Sequence, residues 1–160
     1  MNIFYLDHNT VECAKMHVDK HCVKMILEYA QLLSTAHHIL DDESELSKQL
    51  YKQTHKNHPS AVWVRQSDSN YKWLYTLLTD LCDEYTHRYN KVHATTRLLQ
   101  HLKNVPENIA QQPFTEPTPA MPDEYKIAGD SIRSYRAYYN GDKHRMFAWK
   151  NRSAPEWVIV

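Results

Sequence analysis

Glycine is almost missing from this chain: Gly129 and Gly141 are the only two in 160 residues. So thin a supply excludes glycine-rich phosphate loops, because neither a P-loop nor a GxGxxG fingerprint can be built from it. It also argues against a turn-rich β architecture. Cysteine is scarce as well. Cys13, Cys22 and Cys82 are an odd set with no CxxC pair, the pattern of free thiols in a reducing cytoplasm and not of a disulfide framework. No apolar run approaches membrane-spanning length, and MNIFYLDHNT lacks the basic start and apolar stretch of a secretory signal. These absences predict a cytoplasmic protein without a membrane partner.

What remains is enough to build a core. Apolar residues make up 42% of the 160-residue chain, and at this length folding hides about two-thirds of the chain's surface. A single domain over residues 1–160 is expected. Net charge is zero, yet unevenly spread: Arg133, Arg136, Lys143, Arg145, Lys150 and Arg152 face the single acid Asp142 between Ser131 and Arg152. Tyr135, Tyr138, Tyr139, Phe147 and Trp149 are interleaved with them. Such a mixture suits phosphates and stacked bases, and equally a solvated helix whose aromatics pack inward.

The periodicity is helical. After an extended start, NIFYLD, Asn9 is placed to cap a helix, with Glu12 completing a capping-box pattern. That first helix is expected to run unbroken to about Leu40. Pro59 suits a first helical turn, Asn70 to about Asn90 carries Leu74, Leu77, Leu78, Leu81 and Tyr85 on one face, and Thr95 to Lys103 reads as a shorter helix. Residues 105–122 contain five prolines and cannot be helical over most of their length. Phe114 and Met121 give that stretch something to bury, so it reads as an ordered covering loop. Helix resumes after Asp123, with a stop near Asn140–Gly141. The expectation is an all-α bundle around a long, central N-terminal helix.

That helix carries an unusual row. Ala14, Val18, Cys22, Met25, Tyr29, Leu32 and Ala36 form one apolar face, and Val23, Ile26, Ala30 and Leu33 continue it around the helix. The remaining sector holds His17, His21, Lys24, Glu28, Gln31, Thr35 and His38. Two readings stand side by side. The row is either a solvated strip with Lys24–Glu28 as an ion pair, or the floor of a pocket. In a pocket Glu28 would serve as general acid or base, His17 and His21 as proton carriers or phosphate ligands, and Lys24 as phosphate ligand or nucleophile. His17 and His21 also have the spacing for a shared zinc ion. HVDKH lacks the glutamate of HExxH, however, and no metal or other cofactor is assigned.

A second cluster lies in HKNHPSAVWVRQSDSNYKWLY, residues 55–75. Trp63, Tyr71 and Trp73 offer aromatic faces to a base or anchors to the core. His55, His58, Arg65 and Lys72, together with Arg133 and Arg136 from the C-terminal segment, are the candidate phosphate ligands.

The stretches MNIFYLD, DKHCVKMILEYAQLLSTAH, NHPSAVWVRQS, NYKWLYTLLTDLCDEYTHRY, AMPDEYK, YRAYYNGDK and APEW resemble a set of small proteins widespread in tailed phages. More distantly, ECAKMH and NYKWLYTLLTDLCDEYTHRY are similar to the first helix and the aromatic-bearing middle helix of phage pyrimidine-dimer DNA glycosylases of the endonuclease V type. The resemblance implies a small all-α protein acting on DNA through an N-terminal α-amine nucleophile, exposed by removal of the initiator Met, and an essential glutamate seven residues after a helix histidine. Counted from His17, that position holds Lys24, with Glu28 one turn beyond, and the second residue, Asn2, is a poor context for Met removal. Two functions are carried forward. One is an enzyme cleaving a base–sugar or phosphodiester linkage in a nucleotide or nucleic acid. The other is a non-catalytic protein that holds a nucleotide or blocks a host defence protein. A homo-oligomer stays open in either case.

Overall fold

The first helix begins where its cap places it. In the computed structural model, which describes residues 1–159, α1 spans Thr10–Met16 and Asn9 Oδ1 accepts the Glu12 N–H at 3.0 Å. The reciprocal half of the box is replaced, because the Asn9 N–H donates to Asp7 instead. The helix then stops, against the expectation of one rod from Asn9 to Leu40. His17 and Val18 are extended, with ψ of 130° and 157°, and α2 occupies Asp19–Leu40.

Nothing in the sequence at His17–Val18 breaks a helix. The break is held from outside. A helix end leaves carbonyls and amides without intrahelical partners, and here side chains supply them. Arg88 donates to the carbonyls of His17 (2.8 Å) and Lys15 (2.9 Å), and Trp149 Nε1 donates to the Met16 carbonyl at 2.9 Å. On the α2 side, the Val18 N–H finds the Tyr139 hydroxyl and the Asp19 N–H finds the Ala148 carbonyl. Arg88 is wholly buried and also pairs with Asp19 and with Glu84 at 2.8 Å, while Arg152 grips the other side of Glu84. Burial alone would raise the Glu84 carboxyl. Hydrogen bonds from Arg152 and Arg88 outweigh it and hold the group below the usual carboxylate range.

Around this joint the expected bundle assembles, with no strand among the described residues. The buried side of α2 includes Cys22, Met25, Ile26, Tyr29, Leu32 and Leu33. Val23, expected to continue the apolar surround, is instead 40% exposed. Helix α3 (Pro59–Val64) starts with its proline in the first turn, and α4 (Asp68–Tyr89) is capped by Ser67 and ends on Asn90 at φ 54°. Helix α4 packs against both α1 and α2 through Leu74, Leu77, Leu78 and Leu81. The helix expected at Thr95–Lys103 is a 3-10 turn, Ala94–Leu98, running into the single turn α5, Leu99–Leu102.

Residues 105–122 hold no helix and cover the bundle, as their prolines dictate. Phe114 packs among Tyr5, Trp63 and Trp73, and the Asn70 side chain brackets Thr115 with two hydrogen bonds. Helix α6 spans Ser131–Asp142 and runs through Gly141 instead of stopping there. The glycine is needed for contact, since a Cβ at this position would enter the ring of Tyr125.

The joint yields the first prediction. Arg88→Ala leaves Glu84 and two carbonyls short of their donor in a buried setting, and should cost about 3–5 kcal/mol. Arg88→Lys should recover little, because one ammonium cannot replace the guanidinium fork. Urea unfolding of both variants measures this, and a loss below about 1 kcal/mol would show that the break is held by other contacts.

Candidate active site

The extended residues Ile3–Leu6 are buried and cross the face of α2. Two tyrosines fix this geometry. The Phe4 N–H donates to the Tyr29 hydroxyl at 3.1 Å, and that oxygen lies 2.8 Å from His17 Nε2. His17 Nδ1 faces the Cys13 carbonyl at 2.7 Å, so Nδ1 carries the proton and Nε2 accepts from Tyr29. Burial pushes the His17 imidazole down to about 4 and keeps it neutral.

This pinning delivers the chain start to the second turn of α2. The Met1 α-amine lies 3.3 Å from Glu28 Oε1, with Lys24 Nζ 3.8 Å from Glu28 Oε2. A cavity of about 140 Å³ opens at this point, lined by Met1, Asn2, Phe4, His21, Lys24, Met25, Glu28 and Lys143. Glu28 Oε2 is buried without a hydrogen-bond partner. His21 lies flat against Phe4, with centroids 4.1 Å apart and planes 17° from parallel, and its Nδ1 is 2.7 Å from the Tyr139 hydroxyl. Burial, reinforced by the positive charges of Lys143 and Lys24, pushes His21 down to about 3.

The predicted row is therefore divided. His21, Lys24 and Glu28 come together at the cavity. His17 does not join them, because the break turns its ring into the core, wholly buried and hydrogen-bonded at both nitrogens. Its separation from His21 by that break also removes the shared-face geometry that a helical zinc pair needs. Further down, Thr35 bonds the backbone of Thr54 through both directions and His38 donates to the Tyr51 carbonyl, so that end ties down a loop.

The second cluster is mostly structural. Tyr71 is fully buried with its hydroxyl donating to the Leu102 carbonyl at 2.6 Å, and cannot face a ligand. Trp63 and Trp73 are likewise core side chains. Arg65 closes its own loop through the carbonyls of Lys56 and Ala61, and His58 caps α3 by accepting the Ser60 N–H. His55 is exposed at φ 48° and bonds Thr54. Lys72 is exposed beside Asp68 and lines a separate groove with His8, Trp73 and Phe114. Arg136 is drawn inward by the Leu6 carbonyl, Asp7 and the Trp157 ring, whereas Arg133 is exposed and makes no ion pair among the described residues.

Fold and cavity together define a small all-α protein whose site is built from a backbone amine, a carboxylate and a neutral imidazole. The chain belongs to the pyrimidine dimer DNA glycosylase family, whose model matches residues 1–97. No curated protein and no solved structure matches it. Counted from His21, the histidine that stays at the cavity, seven residues lead to Glu28; the count from His17 had ended on Lys24. Lys143, which arrives from the end of α6, was not among the expected site residues, and the α-amine entered only through the family resemblance, as that of the residue after Met1.

Both histidines stay neutral when folded and take up a proton more readily when unfolded. Their contribution to stability is therefore complete above the ordinary histidine value, and is lost as pH falls from there toward about 4 and about 3. By pH 5 each should cost about 2 kcal/mol relative to pH 7.5. Urea midpoints should fall as pH drops across that range, and a flat profile would mean that the rings take up protons as readily in the fold as in the unfolded chain.

Proposed function

We propose that this chain is a DNA glycosylase that attacks the sugar of a damaged nucleotide with the α-amine of Met1, using Glu28 as proton acceptor. The observation that carries this reading is the 3.3 Å approach of that amine to a carboxylate whose other oxygen is buried, makes no hydrogen bond and has only the Lys24 ammonium near it, at 3.8 Å. An α-amine is a weaker base than a lysine side chain, so more of it is neutral and nucleophilic near neutral pH. Attack forms the bond from nitrogen to C1′. The bond from C1′ to the base breaks, its electron pair leaves with the base, and the base takes up a proton. A proton from the amine passes to Glu28. The nitrogen lone pair then forms C=N as the C1′–O4′ bond breaks, its electron pair leaving on O4′, which takes up a proton, so that a protonated C=N linkage joins chain and opened sugar.

The cavity's size supports an attack on the sugar. At about 140 Å³ it is too small to enclose a whole nucleotide, so the substrate's base and phosphates stay outside it. Lys24, with 73% of its side chain exposed, and Lys143, over the face of Tyr138, supply positive charge beside the cavity for flanking phosphates. Of the exposed members of the predicted phosphate-binding set, His55, Lys72 and Arg133, the two with a permanent positive charge, Lys72 and Arg133, extend that role along the surface.

Borohydride reduction in the presence of duplex DNA carrying a pyrimidine dimer should trap chain and DNA covalently, with the adduct on the first residue by mass spectrometry. Glu28→Gln should leave the melting temperature within a few degrees and lower base release at least 100-fold. Extending the chain by two residues ahead of Met1 should abolish the adduct. Binding without any trapped adduct or base release would favour the alternative function, a protein that holds nucleotides or blocks a host protein without chemistry.

A further inference from the structure

Tyr139 lies beyond the residues that the family model matches, yet its hydroxyl touches the site. The oxygen accepts the Val18 N–H at 3.3 Å and stands 2.7 Å from His21 Nδ1. Tyr139 is fully buried, and burial pushes its own ionisation well above the ordinary value, so the phenol keeps its proton. That proton has one acceptor within reach, His21 Nδ1. The reverse arrangement, with Nδ1–H donating, would leave a buried hydroxyl hydrogen without a partner, which folded proteins avoid.

We propose that Tyr139 is a positioning residue that fixes His21 in the tautomer protonated on Nε2, so that the imidazole acts at the cavity as a hydrogen-bond donor and not as a base. Stacking on Phe4 holds the plane of the ring, and a flip within that plane would forfeit the Tyr139 hydrogen bond. Its Nε2 has no protein partner among the described residues, while the ring shares the cavity with the Met1 amine and Glu28. Besides Tyr139, the Met1 amine and Glu28, the groups that face the ring are His17, Lys143 and Lys24, and each of these three opposes a second proton on it. Donor and acceptor are thus separated: Glu28 takes the proton that the amine gives up, and His21 Nε2–H meets the sugar oxygen that gains charge when the ring opens. This assignment rests on the glycosylase reading for its consequence but not for the tautomer itself.

Nitrogen-15 NMR of histidine-labelled full-length protein reads the tautomer directly. The expected result is a neutral His21 protonated on Nε2, and in Tyr139→Phe a shift toward a mixture. With dimer-containing duplex, Tyr139→Phe should lower the single-turnover rate of base release about tenfold and leave the Kd for the duplex within twofold. Among direct replacements, His21→Gln, whose amide N–H reaches the Nε2 position, should retain more rate than His21→Asn, whose amide mimics Nδ1. A wild-type His21 protonated on Nδ1, an unchanged tautomer in Tyr139→Phe, or equal rates for Gln and Asn would each overturn the proposal. If Tyr139→Phe fails to fold, the wild-type spectrum and the Gln–Asn pair still decide. Absence of base release from the wild type would sink the glycosylase reading alone, since the spectrum is recorded on the free protein.

Discussion

Everything at the functional end of this molecule depends on one buried guanidinium. Arg88 reaches from α4 into the joint between α1 and α2 and replaces there the hydrogen bonds that a continuous helix would have made for itself. The charge is compensated by Glu84 and Asp19, and Glu84 in turn by Arg152. A buried ion is costly when its partners are few, and this one is surrounded by acceptors. The result is a bend at His17–Val18 with both helix ends satisfied. Without the bend, His17 and His21 would lie on one helical face, and Tyr29 and Tyr139 would not each meet one of them.

The two tyrosines repeat one device. Each takes a backbone N–H, from Phe4 or from Val18, and each lies within 2.8 Å of a histidine nitrogen. At His17 the second nitrogen is consumed by the Cys13 carbonyl, and the ring is a structural cross-link. At His21 the second nitrogen is left over beside the cavity. The same arrangement thus closes one ring into the core and leaves the other with a free nitrogen at the cavity, and the difference lies in a single carbonyl.

Local features were legible in the sequence wherever the determinant was local. Asn9, Pro59 and Asn90 mark helix ends that the structure places within a residue or two of the expected positions, and the prolines of 105–122 suffice to exclude helix. The bend was not legible, because neither histidine nor valine breaks a helix and the cause sits some seventy residues away at Arg88. From that one omission followed the misplacement of His17. Tyr71 misled for a related reason: an aromatic next to Lys72 looks like a binding face until α5 and His37 are seen to enclose its hydroxyl. The Lys24–Glu28 pair was legible from its spacing, whereas the approach of the Met1 amine to Glu28 was not, since a terminal amine carries no spacing signature.

The strap formed by residues 148–152 bears on how this molecule comes into being. Ala148, Trp149 and Lys150 hold the α1–α2 joint, and Arg152 completes the charge around Glu84. These contacts join the opposite ends of the polypeptide, and closing so long a loop is paid in entropy before any contact rewards it. During synthesis the first 100 residues emerge with Arg88 available to the His17 and Lys15 carbonyls, but with the Met16 carbonyl still lacking Trp149 and Val18 lacking its phenol. The amine and Glu28 are made early, but the frame that orients them is closed only by residues near the end of the chain. On the proposed glycosylase reading, alignment of the site is therefore the last property this protein acquires, and a chain that ends before Ala148 holds the Met1 amine and Glu28 without the closed frame around the joint.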